Sequence, residues 1–458
     1  MSKKIRKSKY NLWNFIDSIE GDKVIWMIFL LLIMTSMLAV FSSTSLLALT
    51  QDTTRINIIK TQGIIAAVCV IAVFLIYKIK DIGLFRFFGK WCFFISLFFL
   101  LLLVFEVKFP PFIKAEYINY AWRTVKIWKI QIHVFEIVKV CMVLYLAWAV
   151  YAYNKDEFRF ANWLGKKKHF RFMKKPLAKK IFYMYLPILI VIGCVLKGGN
   201  SSALLIGGTL IATLLVGGIS KKEILLTGLA AIILFFGAVT LYFASDGKYF
   251  NRIGTAISRL GRSTDIEVVK KHKEGTREFY DAVDSIRQPM AARIAVHEGG
   301  FFGKGPGGST QKYTVSQMFG DYMYSFLLEE YGLIGGILII MLYVSLLARG
   351  SLVARMCDDD DFAKTTIGGL TILITSQAFF HMLVNIDIGL ITGQTLPLIS
   401  HGNSSLIMFC FAFGVILSIS RIAKKNMLKQ EAMAEPIYTG DEVQDRLSDL
   451  DRLESDEI

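Results

Sequence analysis

The chain has few charged residues and few cysteines for its length, and each shortage narrows the class of protein. Of its 458 residues, 19% are charged, whereas soluble domains carry about 25%. None of its six cysteines lies in a predicted extracytoplasmic loop, so we expect no disulfide bonds. The sequence has no Cys/His spacing typical of zinc sites and no GxxxxGK(S/T) phosphate loop. These absences argue against a zinc enzyme and against an ATP-dependent one.

Long apolar runs are what the sequence has in abundance. Hydrophobic residues make up 54% of the chain, and the mean hydropathy is +0.49. Runs of this kind are typical of transmembrane helices, and we count about ten of them. They centre near 24–49, 56–77, 91–107, 132–153, 181–196, 202–219, 223–243, 323–348, 366–390 and 404–422. The sequence therefore predicts an all-α, polytopic integral membrane protein, with a large extracytoplasmic loop at about 245–321 between helices 7 and 8.

The net charge of +15 is distributed as in a membrane protein rather than a nucleic-acid-binding one. Basic residues cluster before the first helix and in alternate loops, most densely at 155–180. This is the positive-inside pattern, and with an even number of helices it predicts that both termini are cytoplasmic. We therefore expect no nucleic acid partner. The basic loop at 108–131 is predicted to be outside, where an anionic substrate would explain its charge.

Three regions follow from this pattern. Residues 1–23 form a basic cytoplasmic N-terminus, residues 24–422 form the transmembrane domain, and residues 423–458 form an acidic, flexible cytoplasmic tail. Within the outer loop, the stretch PMAARIAV is typical of a short amphipathic helix at the membrane interface.

Two segments carry polar residues where a membrane protein has little reason to place them. The first, from Gln288 to Gly332, holds Asp321 at a membrane boundary and Glu329 and Glu330 inside an apolar run. Ionisable groups at bilayer depth are costly and mark functional sites. The second segment, NIDIGLITGQTLPLISHGNSSL, is rich in glycine, proline and serine, and irregular backbone at that depth must line a protein-buried or watery cavity. The sequence predicts the active site here.

These segments resemble the SEDS family (shape, elongation, division and sporulation), whose members include FtsW, RodA and SpoVE. The resemblance lies in ARIAVHEGGFFGKGPGGSTQK, GDYMYSFLLEEYGLIGG and TGQTLPLISHGNSSL, and more weakly in VFSSTSLLA. Glu136, Lys139 and the upstream Arg123 also match family positions. Together the matches follow the family order over nearly the whole chain.

The resemblance implies an inverting peptidoglycan glycosyltransferase that polymerises lipid II at the outer face of the bacterial cytoplasmic (inner) membrane. The implied partners are lipid II, a class B penicillin-binding protein transpeptidase and other division-complex membrane proteins. Within the family, the sequence resembles the division branch, FtsW, most closely. The alternative is an elongation polymerase of the RodA type. A lipid II flippase or other transporter, and a non-catalytic division scaffold, are further alternatives.

Asp321 aligns with the aspartate considered catalytic in the family. A carboxylate at this place can act as general base and take the proton of an attacking sugar hydroxyl. The alternative is structural, because Gly320 and Asp321 directly precede a helix, where aspartate is a favoured N-cap residue.

The remaining candidates for substrate binding each have a structural alternative. Glu136 and Lys139 share one helix face, where Lys139 or Arg123 could meet phosphate or the pair could fix helix packing. Glu329 and Glu330 could face the cavity or pair with a basic residue. The other candidates are the possible pyrophosphate contacts Arg293, Lys304 and Lys312, which could equally be solvated charges, and Ser400 and Ser404, whose hydroxyls suit a cavity-lining re-entrant loop better than a catalytic triad.

This chain departs from the family pattern at several positions. Gln317 and Phe319 stand where the family has an acidic residue and a histidine, and KGGNSSA lacks the aspartate of the matching loop. Mg²⁺ or Mn²⁺ is a candidate cofactor, because a divalent cation can neutralise a pyrophosphate leaving group. The metal ligands are not predicted, and no organic cofactor is expected.

Overall fold

The computed structural model of the chain describes residues 20–109, 112–118, 121–128, 130–245, 274, 276–315, 318–388 and 393–434. Its helices, numbered in chain order, are α1 (Lys23–Ser43), α2 (Ser45–Thr50), α3 (Arg55–Tyr77), α4 (Ile82–Val104), α5 (Val134–Asn154), α6 (Arg159–Leu164), α7 (Pro176–Leu196), α8 (Asn200–Val216), α9 (Lys221–Ala244), α10 (Arg277–Gly299), α11 (Met323–Met356), α12 (Asp361–Asn385) and α13 (Asn403–Ala434). Its strands are β1 (Lys108–Phe109), β2 (Ile113–Ile118), β3 (Ala121–Ile127) and β4 (Ile130–His133).

The predicted helical membrane fold is confirmed. Within the described residues, eight helices are long and apolar enough to cross a membrane: α1, α3, α4, α5, α7, α11, α12 and α13. Helix α8 is apolar but has only 17 residues, and α9 has 24. The count of ten crossings and the placement of the outer loop therefore stay predictions.

Most long helices begin at a polar residue whose side chain accepts hydrogen bonds from the first turn. Such a residue satisfies backbone N–H groups that have no partner inside the helix. The residues that cap in this way include Asp22 for α1, Thr54 for α3, Asp81 for α4, Ser220 for α9 and Asp360 for α12. Helix α11 begins without a side-chain cap of its own.

Helices α5 and α12 lie at the centre of the bundle, and small residues let their neighbours approach closely. A Cβ atom added at Gly369 of α12 would lie 2.7 Å from Val143 of α5 and 2.9 Å from Thr213 of α8. One added at Gly350 of α11 would lie 2.4 Å from Thr371 of α12. The bundle is therefore packed too tightly at these crossings to admit a larger side chain.

The two ends of the described chain meet at one face of the bundle. Arg349 donates to Asp22 (Nη2 to Oδ2, 2.6 Å), and Arg421 donates to Glu20 (2.6 Å). The backbone N–H of Asp22 donates to Ser420 Oγ (3.1 Å). The structure therefore agrees with the prediction that both ends lie on the same side of the membrane. That this side is the cytoplasmic one stays a prediction.

The structure extends two of the predicted segments. Helix α13 continues as far as Ala434, past the predicted start of the tail at 423, and 435–458 and 1–19 lie outside the described residues. Helix α10 contains the predicted PMAARIAV helix and is longer, with 23 residues. Most of the remaining outer loop, residues 246–273, also lies outside the described residues.

A four-stranded antiparallel sheet, in the order β1-β2-β3-β4, stands between α4 and α5. From the sequence, this region was predicted only as a basic loop. In the β2–β3 pair, Ala115 and Val125 lie opposite each other and are buried, whereas the next pair, Lys114 and Lys126, is exposed. Strand β3 also carries Arg123, so the sheet positions this predicted site residue.

Candidate active site

Asp321 and Arg123 both approach Gly393, which lies in the second segment. A Cβ atom at Gly393 would lie 3.1 Å from Asp321 Oδ2 and 3.5 Å from Arg123 Nη1. Arg123 also donates from Nε to the carbonyl oxygen of Gly198 (3.3 Å), just before α8. Three parts of the chain that are distant in sequence therefore bring a carboxylate and a guanidinium to one place, at the face opposite the chain ends.

The prediction that Asp321 could serve as the N-cap of α11 is wrong. The N-cap position belongs to Tyr322, whose side chain makes no capping hydrogen bond. Acceptors for the first turn come from α12: His381 Nε2 accepts from the N–H of Tyr324 (3.3 Å), and Asn385 Oδ1 accepts from the N–H of Ser325 (3.0 Å). Asp321 is therefore one residue too early in the chain to occupy the capping position.

Lys139 holds the second segment from inside the bundle. Its ammonium donates to Glu136 Oε1 (2.7 Å), Gln377 Oε1 (2.7 Å) and Gln394 Oε1 (3.0 Å), and the side chain is 1% exposed. The predicted buried ion pair with Glu136 is present. Because an ammonium has three N–H donors, these contacts account for all of them. Gln394 in turn donates to Ser202 Oγ of α8 (2.8 Å).

The two predicted serines play different parts. Ser400 Oγ donates to the carbonyl oxygen of Gly320 (2.8 Å) and accepts from the N–H of Leu396 (2.9 Å), so it fixes the residue before Asp321. Ser404 Oγ accepts from the N–H of His133 (3.1 Å) at the end of β4. In these contacts both hydroxyls satisfy backbone groups, as the re-entrant-loop interpretation predicts.

The paired glutamates of α11 bind the glycine-rich loop that follows α10. Glu329 is fully buried and accepts from Lys304 Nζ (2.8 Å), Ser309 Oγ (2.5 Å) and the N–H of Thr310 (2.8 Å). Burial lowers the pKa of Lys304, but the carboxylates of Glu298 and Glu329 outweigh it and hold the pKa above its usual value. The prediction that a basic residue pairs with Glu329 is confirmed.

Glu330 faces the first helix. It accepts from Ser42 Oγ (2.5 Å) and lies 3.7 Å from Lys312 Nζ, and both charged side chains are almost fully buried. Ser42 belongs to VFSSTSLLA, so this contact gives the weakest of the matching motifs a structural role. Arg293 of α10 pairs with Asp387 just past α12. Arg293, Lys304 and Lys312 are thus all paired with carboxylates, and their contact with pyrophosphate stays a prediction.

A largely apolar cavity lies between α8 and α12. Its volume is 410 Å³, and its lining includes Leu204, Leu205, Thr209, Ile372 and Phe380. Ser376, the neighbour of Gln377, also contributes to the wall. A cavity of this composition suits a hydrocarbon chain rather than a charged group.

The described residues around Asp321 include no cluster of typical metal ligands. Across the described parts of the chain, no group of three or more His, Cys, Asp or Glu residues is placed to hold a metal ion. The charged neighbour of Asp321 at Gly393 is the Arg123 guanidinium, which repels a cation. A role for Mg²⁺ or Mn²⁺ therefore stays a prediction.

Sequence reasoning missed Gln377, His381 and Asn385, which contact the site from α12. A signal was present, because these residues recur every fourth position in an otherwise apolar helix and so share one face. Polar side chains with that spacing in a membrane span need partners. Gln394 lay inside a recognised motif, but its partners on α5 and α8 could not be read from the sequence.

The fold and the site together define a polytopic membrane protein in which a carboxylate and a guanidinium lie close to the same glycine, at one end of the helix bundle. A family profile described as "Cell cycle protein" (FtsW, RodA and SpoVE) matches residues 22–425. The chain belongs to this family, which confirms the resemblance inferred from the motifs.

Relatives with similar sequences bear consistent names. The probable peptidoglycan glycosyltransferase FtsW of Hahella chejuensis is 31% identical over 306 residues, which cover 66% of this chain and 67% of the relative. The probable FtsW of Caulobacter vibrioides is 36% identical over 31% of this chain and 36% of the relative. Stage V sporulation protein E of Bacillus subtilis is 37% identical over 31% and 39%, respectively. The last two alignments thus span little more than a third of those relatives.

Solved structures share the fold. A chain from work on "Structural coordination of polymerization and crosslinking by a peptidoglycan synthase complex" has a TM-score of 0.58 at 20% identity and covers 88% of this chain and 98% of its own. The Thermus thermophilus rod shape determining protein RodA has a TM-score of 0.53 at 17% identity, covering 88% and 97%. At these identities the likeness concerns the fold alone.

Proposed function

We propose that this protein is an inverting peptidoglycan glycosyltransferase that polymerises lipid II at the outer face of the bacterial cytoplasmic membrane, with Asp321 as general base. The observation that carries the proposal is the convergence of Asp321 and Arg123 at Gly393. The relatives named as FtsW glycosyltransferases support the reaction and a role in cell division, with RodA-type elongation as the alternative branch.

The two charged groups suit the two halves of a glycosyl transfer. Asp321 takes the proton of the acceptor sugar's 4-hydroxyl as that oxygen attacks the anomeric carbon of the donor. The bond from the anomeric carbon to the lipid pyrophosphate breaks with inversion, and the leaving group keeps the electron pair. A nearby carboxylate also favours the oxocarbenium-like transition state. Arg123 supplies positive charge where the pyrophosphate develops its own negative charge.

The sides of the membrane follow from the distribution of basic residues. The loops with most lysine and arginine lie at the face that holds the chain ends, which the positive-inside rule assigns to the cytoplasm. Asp321 and Arg123 are then extracytoplasmic. The cavity between α8 and α12 is suited to the prenyl chain of lipid II, since its lining is almost wholly apolar.

The partner that this function calls for is a class B penicillin-binding protein, which would cross-link the new strands. The structural relative from a peptidoglycan synthase complex that both polymerises and cross-links supports such a pairing. Other membrane proteins of the division complex are further proposed partners. Magnesium or manganese would enter with the pyrophosphate of the substrate rather than through a site on this chain.

The test is polymerisation of purified lipid II by the solubilised protein with its co-purified partner. Wild-type protein should yield glycan polymer, and Asp321→Asn should yield none although it folds. Equal polymer from both would remove Asp321 as the base. No polymer from wild type would favour a flippase or a scaffold, and a lipid II transport assay in vesicles would then separate those two.

A further inference from the structure

One face of α12 presents a buried polar row to the site. Gln377, His381 and Asn385 stand four residues apart, and all are 1% exposed or less. Unsatisfied polar groups at this depth would be costly, because lipid offers them no hydrogen bonds. Gln377 is engaged by Lys139 and by the carbonyl oxygen of Thr395, to which it donates (3.0 Å). His381 and Asn385 are engaged differently, because both reach across to α11.

Helix α11 starts two residues after Asp321, and its first N–H groups need acceptors from outside the helix. His381 Nε2 takes the N–H of Tyr324, and Asn385 Oδ1 takes the N–H and the hydroxyl of Ser325 (both 3.0 Å). These are the bonds that an N-cap side chain ordinarily makes. Here a neighbouring helix makes them, so the start of α11 is fixed relative to α12.

The same two side chains also hold the backbone on either side of the Asp321 carboxylate. Asn385 Nδ2 donates to the carbonyl oxygen of Asp321 (3.0 Å). His381 Nδ1 lies 2.7 Å from the carbonyl oxygen of Gln394, the residue after Gly393. Since Nε2 accepts a bond from Tyr324, the ring must be neutral with its hydrogen on Nδ1.

We infer that His381 and Asn385 are positioning residues for the reaction: they cap α11 from α12 and thereby set the separation between the Asp321 carboxylate and the Gly393 loop. The inference rests on the proposed role of Asp321 as base. The cap from α12 supplies acceptors for the N–H groups of Tyr324 and Ser325, which follow shortly after Asp321 in the chain. A displacement of about 1 Å at a reacting group can cost about 10²-fold in rate.

Variants can separate the two bonds of His381. In His381→Asn, the amide can replace Nδ1 toward Gln394 but cannot reach Tyr324, so the cap is lost. In His381→Gln, the longer amide can place its oxygen near the position of Nε2 and keep the cap. Asn385→Leu removes the second capping bond at similar volume. Thr375→Val is the matched control, because this buried α12 hydroxyl bonds only within its own helix.

We expect His381→Asn and Asn385→Leu to lower kcat for lipid II polymerisation by about 10- to 10²-fold with little change in KM. His381→Gln should keep clearly more activity than His381→Asn, and Thr375→Val should match wild type. Amide hydrogen exchange at Tyr324 and Ser325 should speed up only in His381→Asn and Asn385→Leu, the two variants that lose a capping bond. A role confined to general stability would instead lower kcat of the control as well, or remove folded protein from the preparation.

Two results would overturn the inference. One is wild-type kcat in Asn385→Leu and His381→Asn while Asp321→Asn is inactive, which would leave the proposed function intact. The other is unchanged exchange at Tyr324 and Ser325 in both variants, which would refute the cap whatever the activity. If wild-type protein makes no polymer, the proposed function fails, and hydrogen exchange alone then decides whether the cap exists.

Discussion

Glu329 and Glu298 offer a comparison of two carboxylates that bind the same ammonium. Lys304 contacts both, yet the Glu329 side chain is 0% exposed and the Glu298 side chain is 40% exposed. We predict that Glu329→Ala strongly destabilises the protein, whereas Glu298→Ala has a small effect. The difference arises because water can replace Glu298 as a partner of Lys304 but is excluded from the position of the Glu329 side chain and from the Ser309 hydroxyl, which are buried.

The magnitude follows from the bonds that Glu329 accepts. Its removal leaves the buried Ser309 hydroxyl and the partly buried N–H of Thr310 without their acceptor, and it breaks the pair with Lys304. Removing one partner of a buried ion pair costs about 3–5 kcal/mol. A single unsatisfied buried donor already costs about 1–3 kcal/mol. We therefore expect a loss of about 3–5 kcal/mol for Glu329→Ala.

The measurement is unfolding of the purified, detergent-solubilised protein, by heat and by a denaturing detergent, for wild type and both variants. Glu329→Ala should unfold well before Glu298→Ala, and Glu298→Ala should lie close to wild type. Equal losses in the two variants would refute the reasoning, because they would show that burial does not decide the strength of this cluster. Lys304→Met adds a check, because it leaves the fully buried Glu329 carboxylate without its cation and should therefore also cost about 3–5 kcal/mol.

Further predictions concern the site and the central ion pair. Arg123→Ala should lower kcat by about 10²–10³-fold, as expected when one group that stabilises transition-state charge is lost, and Arg123→Lys should restore part of it; equal rates in both variants would show that charge at this position does not matter. Lys139→Met should cost about 3–5 kcal/mol in unfolding because it strands the Glu136 carboxylate, and Lys139→Met with Glu136→Gln should recover most of that loss. Chelation of divalent cations should slow polymerisation, and Mg²⁺ or Mn²⁺ should restore it, while calorimetry of the protein without lipid II should detect no tight metal site.

The helices and the base candidate could be predicted because their signals are local. Apolar runs mark the spans, and Asp321 stands in a motif whose charge is out of place at a membrane boundary. The sheet that carries Arg123 was missed, although its strands alternate in the expected way. In the β2 segment IKAEYI, apolar and charged side chains follow each other as in a half-buried strand. The four lysines of the region 108–131 favoured a loop interpretation over that alternation.

What could not be predicted is which groups meet. Lys139 was expected to face either phosphate or Glu136, and the structure shows that it also holds Gln377 and Gln394. These partners come from separate parts of the chain, and no local pattern encodes their distance. The N-cap interpretation of Asp321 failed for a related reason. Helix α11 takes its capping groups from α12, and the residues just before α11 give no sign that its cap comes from another helix.

Two glycines of the first segment, from Gln288 to Gly332, bring separate parts of the backbone into close contact. Gly303 and Gly332 both have positive φ, at 79° and 65°, as expected for tight turns. A Cβ atom at Gly332 would lie 2.4 Å from the Gly303 nitrogen, and one at Gly303 would lie 2.3 Å from the carbonyl oxygen of Glu330. The two backbones therefore cross at a distance that only glycine permits.

This close contact supplies hydrogen-bond partners where a membrane helix is interrupted. Gly332 interrupts α11, and a break at bilayer depth survives only where the freed backbone groups find new partners. The loop provides them: the N–H of Gly305 donates to the carbonyl oxygen of Glu330 (2.9 Å), and the N–H of Leu333 donates to the carbonyl oxygen of Gly300 (3.0 Å). The loop that brings these groups also brings Lys304 and Lys312 to the paired glutamates. The glycines and the two glutamates thus serve the same structure: the glycines let the outer loop pack against the break in α11, and the glutamates bind the lysines of that loop.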